Sequence, residues 1–265
     1  MYQFNYHRPE SLDGALSLIN EAEDPKILAG GQTLLPTLKQ RLAMPSDLVD
    51  LAGIGNLTGV SVNGDSLTIG AMTRHVDVAN SADVRAKIPA LAALAGDIGD
   101  RQVRNRGTLG GSIANNDPAA DYPAACLALG ATVTTTERSL AAGEFFTGLF
   151  ETALGDNEIV TTVSFPAPEK AAYMKFKNPA SRYAIVGVFV AKFGADVRVA
   201  VTGAGSSGVF RVPEMEAALA ANFSPDALEG IAVPEDGLNS DIHAAADYRA
   251  HLIGVMAGRA VAACG

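Results

Sequence analysis

Two glycine pairs carry the chemistry of this chain: Ala29-Gly30-Gly31-Gln32-Thr33 and Thr108-Leu109-Gly110-Gly111-Ser112. Each stands just before a stretch with helical patterning. A glycine pair lets backbone N–H groups approach an anion with no Cβ in the way, and the helix start behind it adds unpaired donors and roughly half a positive charge. Two such turns suit a phosphate-bearing ligand gripped from two sides, a nucleotide cofactor above all. The charge balance restricts how that grip works. Lys and Arg number 20 against 29 Asp and Glu, a net charge of −9, and no stretch provides the basic face that nucleic acid requires. Nucleic acid is excluded as a partner, and phosphate must be held mainly by backbone.

Other residues that could do chemistry carry less. Gly203-Ala204-Gly205-Ser206-Ser207-Gly208 matches G-x-G-x-x-G after a strand. Pro213 delays the next helix, however, and no apolar strand ending in an acid follows Phe223, so the stretch reads as a strand-to-helix loop. His7, His75, His243 and His251 are scattered without metal spacing and read as surface or core histidines. Gly110-Gly111-Ser112-Ile113-Ala114 is close to a nucleophile elbow but has no histidine partner in sequence. Cys126 and Cys264 are too few and too far apart for an iron–sulfur or zinc site. Asp117 and Asp121, taken alone, fit helix capping. No catalytic residue and no metal ligand is expected.

The elements that position the glycine pairs follow from periodicity. Leu12, Ala15, Leu16 and Ile19 lie at helical spacing behind Ser11, a capping residue. Lys26 to Ala29 reads as a strand running into the first glycine pair, and Thr33 to Leu42 as the helix behind it, with Pro36 tolerated in its first turn. Asp47 to Leu51 is a further strand, and Val60 to Ile69 a hairpin turning at Asn63-Gly64. Helical patterning covers Ile88 to Asp97 and Tyr122 to Leu129. Glu158 to Phe165 alternates as a strand and ends at Pro166-Ala167-Pro168, which reads as a linker. Beyond it, Ile185 to Phe193 and Val197 to Thr202 pair through Gly194-Ala195-Asp196. Helices over Pro213 to Ala221 and His243 to Ala263 give the C-terminal part α+β character. At 265 residues, two or three subdomains are expected.

The full wording of the two segments adds a resemblance. Lys26-Ile27-Leu28-Ala29-Gly30-Gly31-Gln32-Thr33-Leu34-Leu35-Pro36, and Arg101 to Ala114 with Asp117-Pro118 and Asp121, closely resemble the FAD-binding (medium) subunits of the molybdenum hydroxylase and xanthine dehydrogenase family. That group includes the medium subunit of aerobic carbon monoxide dehydrogenase. The resemblance spans essentially the whole chain. It implies an α+β fold: a two-subdomain FAD-binding domain of the PCMH type, residues 1–54 and 55–167, followed by a smaller α+β domain with an antiparallel sheet, residues 168–265.

The resemblance also implies a set of FAD-binding residues. The first motif would hold the pyrophosphate on the amides of Ala29, Gly30, Gly31, Gln32 and Thr33, with Leu34 beside them and Lys26 and Leu28 leading into it. The second would bring Thr108, Gly111, Ser112 and Asn115 to the flavin and diphosphate, and Asp121, with Asp117 near it, to a ribose hydroxyl. Ile98 and Gly99 would pack near the ring system, Val160 near the adenine, and Tyr183 over the ring. Lys177 would stand close to the isoalloxazine, where a cation favours the reduced, anionic flavin.

By the same resemblance the chain is an oxidoreductase subunit. It would take electrons from [2Fe–2S] clusters on a small partner subunit, beside a large molybdenum-binding subunit, in a dimer of heterotrimers, and hand them to an external acceptor. The molybdenum cofactor and the clusters would sit only on the partners, and a peripheral membrane or quinone contact belongs to the same expectation. No apolar leader and no run of about 18 apolar residues is present, so the expected location is the cytoplasm. Two other readings use the same residues: a flavin-free scaffold subunit of the same fold, and a standalone FAD oxidoreductase.

Overall fold

The computed structural model describes residues 1–264, and Gly265, the last residue of the expected third domain, lies outside the described residues. The N-terminal part runs β1 (Asn5–His7), α1 (Leu12–Glu21), β2 (Pro25–Leu28), α2 (Leu34–Lys39) and β3 (Asp47–Asp50). Its strands form a parallel sheet in the order β1-β3-β2. Ser11 caps α1 by accepting from the Gly14 N–H, which fixes the register of its apolar stripe, and Ala15 and Ile19 are buried beneath it.

The middle part continues β4 (Val60–Asn63), β5 (Ser66–Gly70), α3 (His75–Asn80), α4 (Ala82–Lys87), α5 (Pro89–Gly96), α6 (Arg101–Arg104), α7 (Leu109–Asn115) and α8 (Tyr122–Leu129). β6 (Thr132–Thr135), β7 (Ser139–Ala141), α9 (Ala142–Phe145), β8 (Phe146–Gly148), β9 (Glu151–Thr152) and β10 (Val160–Pro166) complete it. An antiparallel sheet in the order β4-β5-β10-β6-β7 backs the helices, and β8 and β9 form a separate two-stranded sheet. The β4–β5 hairpin differs from expectation by one position. Asn63 pairs with Ser66, so the loop is Gly64-Asp65, with Gly64 at a φ of +60°. Positive φ at the first central residue is the turn that matches strand twist, and only glycine adopts it without cost.

The C-terminal part holds β11 (Lys170–Lys177), β12 (Ala184–Phe193), β13 (Asp196–Thr202), β14 (Phe210–Arg211), α10 (Pro213–Ala221) and α11 (Ala246–Ala263). The sheet is antiparallel in the order β11-β12-β13-β14. The two-faced burial of β12 decides how this part sits. Phe189 and Ala191 join the core of the middle part, while Val186, Val188 and Val190 face a second core built with α10 and α11. The Pro166–Pro168 stretch is therefore a short connection between packed layers, with Pro166 still inside β10 and paired to Ser66. Alternation read along β12 hides this, because both faces are apolar. The last helix begins at Ala246 rather than His243, since the Asp241 carboxylate takes the N–H groups of His243 and Ala244 in a turn ahead of it. Among the described residues no helix is long and apolar enough to cross a membrane.

Arg249 of α11 is buried and donates through Nη1 to the carbonyls of Ile185 (2.6 Å) and Gly203 (2.9 Å), tying α11 to the ends of β12 and β13. Arg249→Met strands both carbonyls, and urea unfolding is expected to show about 2–4 kcal/mol lower stability with an unchanged m-value.

Candidate cofactor-binding site

The two glycine motifs meet. A Cβ on Gly30 would stand 2.3 Å from the Arg106 carbonyl oxygen and 2.7 Å from Gly107 Cα, so only glycine allows this contact. Gly110 packs as tightly on Ala71, where a Cβ would fall 2.5 Å from the alanine methyl. One cleft of about 510 Å³ opens at the junction, within the range of cofactor sites. Lys26, Ala29, Gly30, Gly31, Gln32, Thr33 and Leu34 line it, as do Ile98, Gly99, Thr108, Gly111, Ser112, Asn115, Asp117, Asp121, Val160 and Tyr183. Leu28 and Lys177 do not. Leu28 turns its side chain beneath Gly31, where a Cβ would meet its methyl at 3.2 Å, and Lys177 points its ammonium at Asp97, 2.7 Å away.

The two motifs differ in what they leave unpaired. Among the described residues, the consecutive N–H groups of Gly30, Gly31, Gln32, Thr33 and Leu34 find no acceptor. Gly31, at a φ of +71°, bends the loop ahead of α2. A row of backbone donors on the wall of a cleft is a nest for an anion such as a pyrophosphate. The start of α7 departs from the expectation of free donors. There the N–H groups of Leu109 and Gly110 bond to the Thr73 and Ala71 carbonyls, and the Gly111 N–H bonds to Thr108 Oγ1 (3.1 Å). The second motif spends its first amides on fastening itself to the segment after β5. It offers the cleft the side chains of Ser112 and Asn115 instead.

Three carboxylates line the same cleft, each differently placed. Asp121 is buried, and its side chain does not cap α8, so the capping reading of that residue is wrong. It receives the Tyr173 hydroxyl and the Lys175 ammonium (3.0 Å) on Oδ1. Burial pushes its pKa up, partly offset by Lys175 and Tyr173. Asp117 accepts the Ala119 N–H at 2.8 Å, and burial raises its pKa. Glu158 takes bonds from Arg138, Thr135 Oγ1 and the Gly155 N–H, and these, Arg138 foremost, hold its pKa down at about 2.

Sequence reasoning set aside His75, which the structure places on the cleft wall. It is buried, its N–H donates to the Gly107 carbonyl, and its ring abuts Gly107. Burial, with the Arg104 charge adding to it, lowers its pKa to about 4, so the imidazole is neutral at pH 7. Arg182 and Ser181 were also missed. They stand in the loop between β11 and β12, folded by the Asn178 carboxamide, whose Oδ1 accepts the N–H groups of Ala180 and Ser181. An Asn-Pro pair after a lysine-rich strand was the available signal for that turn. The same loop carries Tyr183, 48% exposed, to the rim.

The cleft therefore combines an apolar body, a row of free amides and fixed carboxylates. That set fits a dinucleotide with a flat ring system and sugar hydroxyls better than a bare anion. Residues 2–168 match the profile of the FAD binding domain in molybdopterin dehydrogenase. The chain belongs to that family. It is 37% identical to the nicotine 6-hydroxylase medium subunit of Paenarthrobacter nicotinovorans, over 98% of this chain and 96% of that one. It is 35% identical to the carbon monoxide dehydrogenase medium chain of Hydrogenophaga pseudoflava, with the same coverage. The structure of the carbon monoxide dehydrogenase from that organism superposes with a TM-score of 0.87, covering 99% of this chain and 97% of that one. Quinoline 2-oxidoreductase from Pseudomonas putida 86 superposes at 0.89 with 29% identity, over 99% and 96%. The α+β fold and FAD as the cofactor follow from membership, and the chain is an oxidoreductase component.

Glu158 ties the 153–158 segment to the cleft, and its folded-state pKa lies below the unfolded value. Its stabilisation is thus complete above about pH 4.5 and lost as pH falls toward 2. Glu158→Gln is expected to lower stability at neutral pH by up to roughly 3 kcal/mol and to flatten the acid limb of stability between those values, read by thermal unfolding across a pH series.

Proposed function

We propose that this chain is the FAD-holding medium subunit of a molybdenum hydroxylase, relaying electrons from the [2Fe–2S] clusters of a small partner subunit to an external acceptor. The molybdenum cofactor belongs, on this reading, to a large partner subunit, and the assembly is a dimer of heterotrimers in the cytoplasm, with a membrane or quinone contact at its periphery. The names of the relatives support it: two are a medium subunit and a medium chain, and a third is subunit alpha of a 6-hydroxypseudooxynicotine dehydrogenase complex. Residues 1–54 and 55–167 form the two halves that hold the cofactor, and residues 168–265 the third domain.

The observation that carries the reading is the row of unpaired amides from Gly30 to Leu34 on the wall of a cleft that the second motif, packed against the first, also lines. In an acidic protein these donors bind a pyrophosphate without importing cations. Ser112 and Asn115 offer neutral polar contacts, and Asp121 an acceptor for a sugar hydroxyl. Ile98 and Val160 exclude water from the apolar body, and Tyr183 closes over its rim. Bound there, the flavin supplies the one- and two-electron chemistry that no side chain of the cleft provides. The chain's own contribution is position and electrostatics.

Titration of the purified chain with FAD and, separately, with FMN tests the reading through the flavin visible band. Saturable binding of FAD and markedly weaker binding of FMN is the expected result. Binding of neither, with or without the partner subunits, would favour a flavin-free scaffold, and turnover of a reducing substrate by the chain alone would favour a standalone oxidoreductase. Gly111→Val places a Cβ 2.8 Å from Thr108 Oγ1 and 3.2 Å from the Ala29 methyl, forcing the motifs apart. It is expected to weaken FAD binding at least ~100-fold while far-UV circular dichroism stays unchanged. Full FAD occupancy in that variant would remove the second motif from the site.

A further inference from the structure

The C-terminal sheet sends one charged side chain into the wall of the cleft. Lys175 of β11 is buried, its side chain 1% exposed, and its ammonium reaches two separate pieces of that wall. It stands 3.0 Å from Asp121 Oδ1 at the start of α8, and it donates to the Asp97 carbonyl at 2.9 Å, directly ahead of Ile98 and Gly99. Tyr173, two residues earlier on the same strand, donates its hydroxyl to the same Asp121 oxygen. Asp121 Oδ2 receives no bond among the described residues, and Asp121 lines the cleft.

A buried ion pair of this kind is poor value as a stabiliser, because the cost of taking two charges out of water offsets most of their attraction. Well-packed apolar residues would hold β11 against α5 and α8 as well. What apolar residues cannot do is keep a buried carboxyl ionised with one oxygen fixed and the other open to a ligand. Lys175 is placed for this role: its ammonium meets Asp121 Oδ1 and the Asp97 carbonyl together, and so links Asp121 to the Ile98–Gly99 segment. We propose that Lys175, together with the Tyr173 hydroxyl, is the positioning residue that holds Asp121 as an oriented, ionised acceptor for a sugar hydroxyl of the bound dinucleotide. The C-terminal domain thereby takes part in cofactor binding through a residue that does not itself touch the cofactor. This rests on the reading of the cleft as the FAD site.

The other charged and titratable groups around Asp121 bear on the pH behaviour. Asp97, at the end of α5, has its carboxylate shared between Lys177 (2.7 Å) and Lys175 (3.8 Å). Asp117 precedes Asp121 on the same segment, and Tyr122 and Cys126 follow on α8. Tyr183 faces Asp121 from the β11–β12 loop, and its pKa is raised by burial and by the charges of Asp117 and Asp121. Of these neighbours the cations are Lys175 and Lys177, and Lys177 is taken up by Asp97. Removal of Lys175 leaves the Asp121 charge uncompensated, and burial then favours the protonated carboxyl. A protonated Asp121 is the weaker acceptor, so the loss of affinity is largest at low pH and shrinks as pH rises.

The test is FAD titration of the full chain and its variants from about pH 5.5 to 8.5. The unmodified chain is expected to bind with nearly constant affinity over this range. Lys175→Met should bind about tenfold or more weakly at the acid end and recover toward the unmodified value at the alkaline end. On an Asp121→Asn background, Lys175→Met should have no further effect, because the path through which it acts is gone. A purely structural role would lower affinity equally at all pH values and on both backgrounds, and that result would overturn the inference. So would undiminished, pH-independent binding by Lys175→Met beside normal binding by the unmodified chain. If Lys175→Met does not fold, Lys175→Gln, which keeps a donor for the Asp97 carbonyl and removes the charge, is read the same way. Failure of the unmodified chain to bind FAD at any pH would overturn the cofactor reading itself, and this inference with it.

Discussion

The contact between Gly30 and the Arg106–Gly107 backbone is the constraint on which the rest of the site depends. A Cβ there would be 2.3 Å from a carbonyl oxygen, a distance no side chain tolerates. The parallel N-terminal sheet delivers one strand of this contact and the turn ahead of α7 delivers the other. Because the chains touch backbone to backbone, the row of donors from Gly30 to Leu34 stands at the edge of the cleft rather than buried behind side chains. The two motifs then divide the work. The second fastens itself to the segment after β5 with its own amides, and the first leaves its amides unpaired among the described residues.

Electrostatics follows from that division. A protein with a net charge of −9 repels an anionic ligand at long range, so the attraction has to be local and built of dipoles. Carboxylates in the same wall would defeat it if left bare. Glu158 is paired with Arg138 and Asp121 with Lys175, and burial pushes the pKa of Asp117 up, toward its neutral form. His75, held neutral by its burial, supports Gly107 without adding a charge of its own.

The C-terminal sheet is structurally inseparable from the site. β12 contributes apolar side chains to two cores at once, which fixes the sheet against α5 and α8. That docking places the β11–β12 loop, with Ser181, Arg182 and Tyr183, over the cleft and brings Lys175 to Asp121. Thr202 of β13 adds to the docking by donating to the Pro118 and Ala120 carbonyls just ahead of α8.

The sequence alone determined the local elements and the chemistry they present. Ser11 and the stripe behind it specify α1, the glycine pairs specify close backbone approach, and the alternation of Glu158 to Phe165 specifies the β10 strand, because these signals act over a few residues. The wording of the two motifs also announced a nucleotide site, and the residues singled out line one cleft apart from Leu28 and Lys177. What the chain order could not express was decided by packing between segments far apart. Whether a helix-start amide is free depends on whether a distant carbonyl reaches it, so α7 lost its donors to Ala71 and Thr73 while the loop before α2 kept its own. Whether an aspartate caps a helix or points elsewhere depends on what lies opposite, and Asp121 does not cap α8 because Tyr173 and Lys175, more than fifty positions away in sequence, stand beside it in space. His75 reads as any histidine until burial removes its charge. Tertiary structure decided which groups are paired and which remain available, because desolvation and partner geometry exist only once the layers have closed.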